Sequence, residues 1–268
     1  MASLHVLPPE LLIEVLSYLP INALLAFSQT CHSAHTLATS SMHTLSLGIY
    51  PTRFSKRIGE IYAADDPCAA AKKVSLLIPA MEPGSDKAAL AFHNKLTASI
   101  VGRYAGALRH LYLRLWTMSP PIANALAGLS GLQTLTLRID NPNVKLHNTM
   151  GGALRPVSGP AADDERLAWM LLSAASWPSL VEFSLAGGQA RPAHLRGLVS
   201  SNPQLRKLVL RNCVRNDTSL LRFICEEWAG GENLRVLMYE DCGSLTLDDI
   251  EGVERLRSLQ VRCFARFF

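Results

Sequence analysis

The chain has 268 residues, of which 49% are hydrophobic, and a formal net charge of +4. That length and apolar content suffice for a sizeable core, while so mild a basic excess does not point to nucleic acid. No apolar run approaches the roughly 18 residues needed to span a membrane, and six scattered cysteines read as reduced thiols of a cytoplasmic or nuclear protein.

The charge is unevenly placed. Residues 1–47 hold Glu10 and Glu14 and no lysine or arginine, a net −2 that leaves +6 on the remainder. This asymmetry predicts two surfaces with two partners. The first apolar stretch lacks a preceding basic region and is interrupted by Pro8, Pro9 and Glu10, which argues against a signal peptide. Leu7-Pro8-Pro9-Glu10 has the grammar of a helix start, because proline and glutamate suit the unpaired N–H groups of a first turn. Leu11, Leu12, Val15, Leu16 and Leu19 then recur at helical spacing until Pro20. Asn22 is placed to cap a second helix carrying Leu24, Leu25 and Phe27, and a third short helix runs through HSAHTLAT. Three short helices cannot bury all these leucines among themselves, so part of the apolar surface is expected to belong to a partner.

The string LPPELLIEVLSYLPINALLAFSQTCHSAHTLA resembles an F-box at Leu7-Pro8, Glu10-Leu11-Leu12, Val15, Leu19, Leu24-Leu25, Cys31 and Leu37. It departs from the pattern at Ala34, where an aromatic is usual, and around Met42-His43, where Leu-Trp often closes the motif. The resemblance implies docking on the Skp adaptor of Skp–cullin–F-box (SCF) ubiquitin ligases. Leu7, Pro8, Leu11, Leu12, Val15, Leu19, Leu24 and Leu25 would carry the contact, and the cullin scaffold would follow through the adaptor. The other reading of this segment is a helical cap on a repeat array.

The rest of the chain is dominated by a hexad, Leu-x-x-Leu-x-Leu. It reads LRHLYL from Leu108, LQTLTL from Leu132, LVEFSL from Leu180, LRKLVL from Leu205, LRVLMY from Leu234 and LRSLQV from Leu256. Weaker copies begin at Met42 and Ala71, and the eight starts are separated by 29, 37, 24, 48, 25, 29 and 22 residues. Five of these gaps fall in the 20–29-residue range of leucine-rich repeats, which also explains the 44 leucines. The expected fold class is α/β: a leucine-rich-repeat solenoid (open horseshoe) over 48–268, preceded by a three-helix F-box over 1–47. Cys213 and Cys242 each lie eight residues after a hexad start, where such repeats take Asn or Cys. These two stretches resemble the cysteine-containing repeat subclass frequent in F-box proteins, and the broken spacing resembles fungal members.

Helix starts are predicted at Asp163-Asp164-Glu165, Pro192, Asp217 or Thr218, and at Thr246 with Asp249 in capping-box spacing. The longest gap is rich in Gly, Pro, Asn and Asp and predicts an irregular loop around 140–163. Shorter loops are predicted over Pro51–Pro67 and from Met81. The final VRCFARFF, with Phe264, Phe267 and Phe268, is expected to fold back on the last strand, to continue into further chain, or to meet a partner.

Within each hexad the leucines face the core and alternate residues face outward. In the seven copies from Ala71 on, the residue after the hexad is arginine four times: Arg114, Arg138, Arg211 and Arg262. Lys73, His110 and Lys207 form a second outward column, with Tyr112 and Met238 between the two. An arginine file at strand spacing grips carboxylates or phosphates bidentately, so the expected partner of the concave face is a protein substrate that is acidic or phosphorylated. Basic residues also serve solubility and edge protection on exposed strands, which is the plainer reading.

No catalytic, metal or cofactor constellation is expected. Cys31, His32 and His35 spell C-H-x-x-H, but a closed zinc site needs four ligands and no second pair lies nearby. Cys225 precedes Glu226 and Glu227, whose charge raises a thiol's pKa and works against reactivity. Gly187-Gly188 and Gly230-Gly231 lack the context of phosphate-cradling loops. The function implied is substrate receptor of an SCF ubiquitin ligase. A ligase-independent scaffold and an inhibitor-type protein-binding module remain the alternatives.

Overall fold

The computed structural model describes residues 7–51, 73–78, 86–139, 160–188, 190–213, 219–240, 242 and 247–265. Nearly all of the predicted loops over Pro51–Pro67 and from Met81 lie outside these residues. So do most of the loop at 140–163, the caps at Asp217, Thr218 and Thr246, and both Phe267 and Phe268.

Three short helices come first: α1 (Pro9–Ser17), α2 (Ile21–Ser28) and α3 (His32–Ser40). Pro9 at the first position of α1 lacks only an N–H that would have no helical partner there. The extended backbone of Pro20 (ψ 153°) leads directly into α2, so Asn22 lies inside that helix and does not cap it. α3 is capped by the Cys31 thiol, which accepts the Ala34 N–H at 3.4 Å. Both α1 and α2 pack on α3.

Eight parallel strands follow among the described residues: β1 (Thr44–Pro51), β2 (Lys73–Ile78), β3 (His110–Leu115), β4 (Thr134–Ile139), β5 (Glu182–Gly187), β6 (Lys207–Arg211), β7 (Val236–Glu240) and β8 (Val261–Ala265). Helices α4 (Asp86–Arg103), α5 (Pro120–Ala127), α6 (Pro160–Ser173), α7 (Pro192–Ser200), α8 (Ser219–Glu226) and α9 (Leu247–Glu254) alternate with them, each packed on the next. α6 begins at Pro160, three residues before the predicted end of the irregular segment, and Asp163 sits in its first turn, where the helix dipole favours an acid.

The hexad leucines form rows across the sheet. Leu111, Leu135, Phe183, Leu208 and Leu237 are in register, as are Leu113, Leu137, Leu185, Leu210 and Tyr239, and all are buried. They join the inward residues of the helices and Leu16, Ile21, Leu24 and Ala38 of the N-terminal helices in one core. Since β1 is part of this sheet, the expected domain boundary after residue 47 falls within a strand.

Two features of the order differ from the sequence expectation. The strands do not stack in chain order: the sheet runs β2-β1-β3-β4-β5-β6-β7-β8, so β1 is inserted between β2 and β3. The helices pass their apolar surface on to β1, and Leu45 and Leu47 bury that strand in the row of Leu111 and Leu113. The last strand also starts later than its hexad predicts. A backbone ladder links His43, Arg109, Gln133, Val181, Arg206, Arg235 and Gln260, so the residue aligned with Leu234 is Leu259. Leu256 instead lies in the turn after α9, and its carbonyl accepts the Leu259 N–H at 3.2 Å.

Polar anchors lock the turns. Buried Asn202 accepts the Trp177 N–H at 2.8 Å and donates to the Ala175 and Leu198 carbonyls at 3.2 and 2.7 Å. The indoles of Trp177 and Trp228 donate to the Leu126 and Val199 carbonyls at 2.9 and 3.0 Å, tying each helix to its neighbour's turn. Gly187 adopts φ 75°, and a Cβ there would overlap the Ile139 carbonyl oxygen, so glycine is required by backbone approach.

Candidate functional site

Two surfaces stand out, and the first is the outer side of α1 and α2. Leu7 is 43% exposed, Leu11 53%, Val15 50%, Tyr18 77% and Leu25 43%, a high density of large apolar groups in water. Leu11, Val15 and Tyr18 follow the i, i+4, i+7 spacing of a single helical stripe, and Pro8 is exposed at its start. The predicted contact set divides here. Leu12 and Leu24 are 6% and 1% exposed, and Leu19 packs against the core. Leu19 and Leu24 belong to the core shared with the sheet, Leu12 is buried on the inner side of α1, and none of the three lies on the open face. Tyr18 is the residue that the leucine pattern missed; its place seven residues after Leu11 was the available signal. Its hydroxyl donates to Glu14 Oε1 at 3.0 Å.

The second surface is the face of the sheet opposite the helices. One row holds His110, Thr134, Glu182, Lys207, Val236 and Val261. A second holds Lys73, Ser46, Tyr112, Thr136, Ser184, Val209, Met238 and Cys263, and a third Arg114, Arg138, Ala186, Arg211, Glu240 and Ala265. His110 and Lys207 share a row as expected, whereas Lys73 belongs to the row of Tyr112 and Met238. Arg262 leaves the arginine file altogether. The later start of β8 sets it opposite Leu237, in the leucine row.

The acids on this face change its electrostatics. Arg211 Nε meets Glu240 Oε2 at 2.8 Å, and Lys207 Nζ meets Glu182 Oε2 at 3.1 Å. Lys207 and Arg211 are therefore ion-paired across neighbouring strands, which no count of cations reveals. Arg114 and Arg138 remain adjacent in register on β3 and β4. His110 Nδ1 contacts Thr134 Oγ1 at 3.1 Å beside them. Toward β8 the face turns apolar through Met238, Val236 and Val261.

The cysteines act within the fold. Cys242 Sγ lies 3.4 Å from the Cys213 N–H that it accepts and 3.1 Å from the Glu240 carbonyl. A hydrogen bond to Cys242, together with burial, pushes the Cys213 thiol well up. Between α8 and α9 a cleft of about 340 Å³ is lined by residues that include Arg222, Cys225, Glu226, Asp249 and Arg255. Burial, then Glu226 and Asp249, pushes the Cys225 thiol up to about 11, so it is protonated and a poor nucleophile near neutrality. Cys31, His32 and His35 are exposed. Among the described residues no group of three or more His, Cys, Asp or Glu is placed to hold a metal ion. No helix among them is long and apolar enough to cross a membrane.

Residues 4–45 match the F-box domain, which covers all three N-terminal helices and their exposed stripe. F-box domains bind the Skp adaptor within SCF ubiquitin ligase complexes. No curated protein matches the chain. The N-terminal part of this protein is therefore a helical F-box domain, followed by an α/β region built on a parallel sheet.

Proposed function

We propose that this protein is a substrate-recognition subunit of an SCF ubiquitin ligase, acting in the cytoplasm or nucleus without an active site of its own. The observation that carries the reading is the coincidence of the F-box match with an apolar stripe that its own chain leaves in water. Leu7, Pro8, Leu11, Val15 and Leu25 dock on the Skp adaptor, and the adaptor brings the cullin. Leu12, Leu19 and Leu24 support that face from beneath.

We read the α/β region as a leucine-rich-repeat array that displays the substrate. The in-register leucine rows and the Cys213–Cys242 contact support this. The substrate lies on the face of Tyr112, Arg114 and Arg138, with an acidic or phosphorylated group at the two arginines.

The test is co-purification of the full chain with the Skp adaptor and cullin, wild type beside Leu11→Asp. A ternary complex lost in the variant is the expected result. A folded wild type that recruits no adaptor would remove the ligase assignment and leave the helices as a cap.

A further inference from the structure

The docking face proposed above ends, in the leucine pattern, at Val15 and Leu19, but in the structure Leu19 turns inward and the stripe continues through Tyr18. Leu11 and Tyr18 are seven residues apart on α1 and its C-terminal cap, or about 10 Å along the axis. Tyr18 is the most exposed of the large apolar residues described. The hydroxyl donates to Glu14 at 3.0 Å, and Glu14 lies one helical turn back on the flank of the same stripe. The hydrogen bond to Glu14, and then its charge, raise the pKa of the phenol. A tyrosine held in this way presents a large amphipathic surface that needs little further ordering on binding, which is the usual character of an interface anchor. Leu12 and Leu16 occupy the inward side of α1, so no part of that core competes for the ring.

We infer that Tyr18 is a direct contact residue for the Skp adaptor and that Glu14 is its positioning residue. The adaptor then offers an apolar seat for the ring next to a hydrogen-bond donor or cation that meets the Glu14 carboxylate. This rests on the adaptor-docking reading of the stripe and extends it by one residue pair.

Isothermal titration of the full chain with purified Skp adaptor tests it, with Tyr18→Ala, Tyr18→Phe, Glu14→Ala and the Tyr18→Phe/Glu14→Ala double variant. Urea midpoints are measured on the same samples. Tyr18→Ala is expected to weaken binding about thirtyfold, the effect of a tyrosine anchor buried by the partner. Tyr18→Phe and Glu14→Ala should each weaken it about three- to tenfold, with the double variant no worse than the weaker single, because both break one hydrogen bond. The midpoints should stay at the wild-type value, whereas a merely structural role would shift them and leave affinity unchanged. If Tyr18→Ala binds within about twofold of wild type while Leu11→Asp abolishes binding, the inference is overturned and the docking reading stands. If the wild type does not bind the adaptor, both fall together.

Discussion

Leu11 and Leu24 are two leucines of the same motif that the structure assigns to opposite jobs, and truncating each to alanine separates docking from folding. Leu11 keeps about half of its surface in water, whereas Leu24 keeps almost none. Full burial of a leucine side chain is worth about 1.5–3 kcal/mol, so the half left for a partner corresponds to about 0.8–1.5 kcal/mol. Leu11→Ala should therefore weaken adaptor binding about four- to twelvefold. Its effect on folding should stay within about 0.5 kcal/mol, as for other surface truncations. Leu24→Ala removes a side chain already in the core and leaves a cavity, at a cost of about 2–5 kcal/mol of stability. Urea unfolding gives the stability of both variants, and titration with the adaptor, under conditions where each is fully folded, gives the affinity. Suppose instead that folded Leu24→Ala lost more affinity than Leu11→Ala, or that Leu11→Ala lost more than about 1 kcal/mol of stability. Either result would refute the division of the motif into an inner and an outer set.

Further outcomes follow from single residues. Asn202→Ala should destabilise the protein by about 3 kcal/mol in urea unfolding, because the buried Trp177 N–H loses its acceptor; a loss under about 1 kcal/mol would contradict that role. A double-mutant cycle on Arg211 and Glu240 should give a coupling of about 0.2–1 kcal/mol that shrinks in high salt, as expected for an ion pair partly open to solvent. The folded Cys225 thiol titrates at about 11 against an ordinary 9.0. The stability it contributes is therefore fully present below pH 9.0 and is lost as pH rises toward about 11. In peptide mapping at pH about 8, Cys225 should react with iodoacetamide more slowly than exposed Cys31, and Glu226→Gln should speed it. Equal rates would remove the assignment. Gly187→Ala should cost at least about 2 kcal/mol, since it adds a side chain both at positive φ and against the Ile139 carbonyl; a neutral result by thermal unfolding would show that the turn can relax.

The sequence alone was enough to place most elements. Alternating leucines mark β3 to β7 because one face of each strand must leave water. Prolines at positions 9 and 192 mark helix starts because a first turn wastes no N–H on them. The N-terminal motif was legible as a docking module because its three helices carry more leucine than they can enclose. Composition also hinted at basic groups on the open face, but not at their neutralisation.

What only the tertiary structure decided was pairing. LRSLQV satisfies the hexad from Leu256, but the backbone ladder starts the last repeat at Leu259, a choice that the leucine pattern does not make. That choice carried Arg262 from the arginine file to the leucine row. The hexad from Ala71 is likewise legible as a strand, yet its place outside β1 is not, and the buried residues of the N-terminal helices share one core with Leu45 and Leu47 of β1. Glu182 and Glu240 met Lys207 and Arg211 across strands about 25 to 29 residues apart in the chain, the length of one repeat. Leu11 and Leu12 are chemically identical neighbours on one helix, and only the elements packed against α1 distinguish the leucine that builds the core from the one left for a partner.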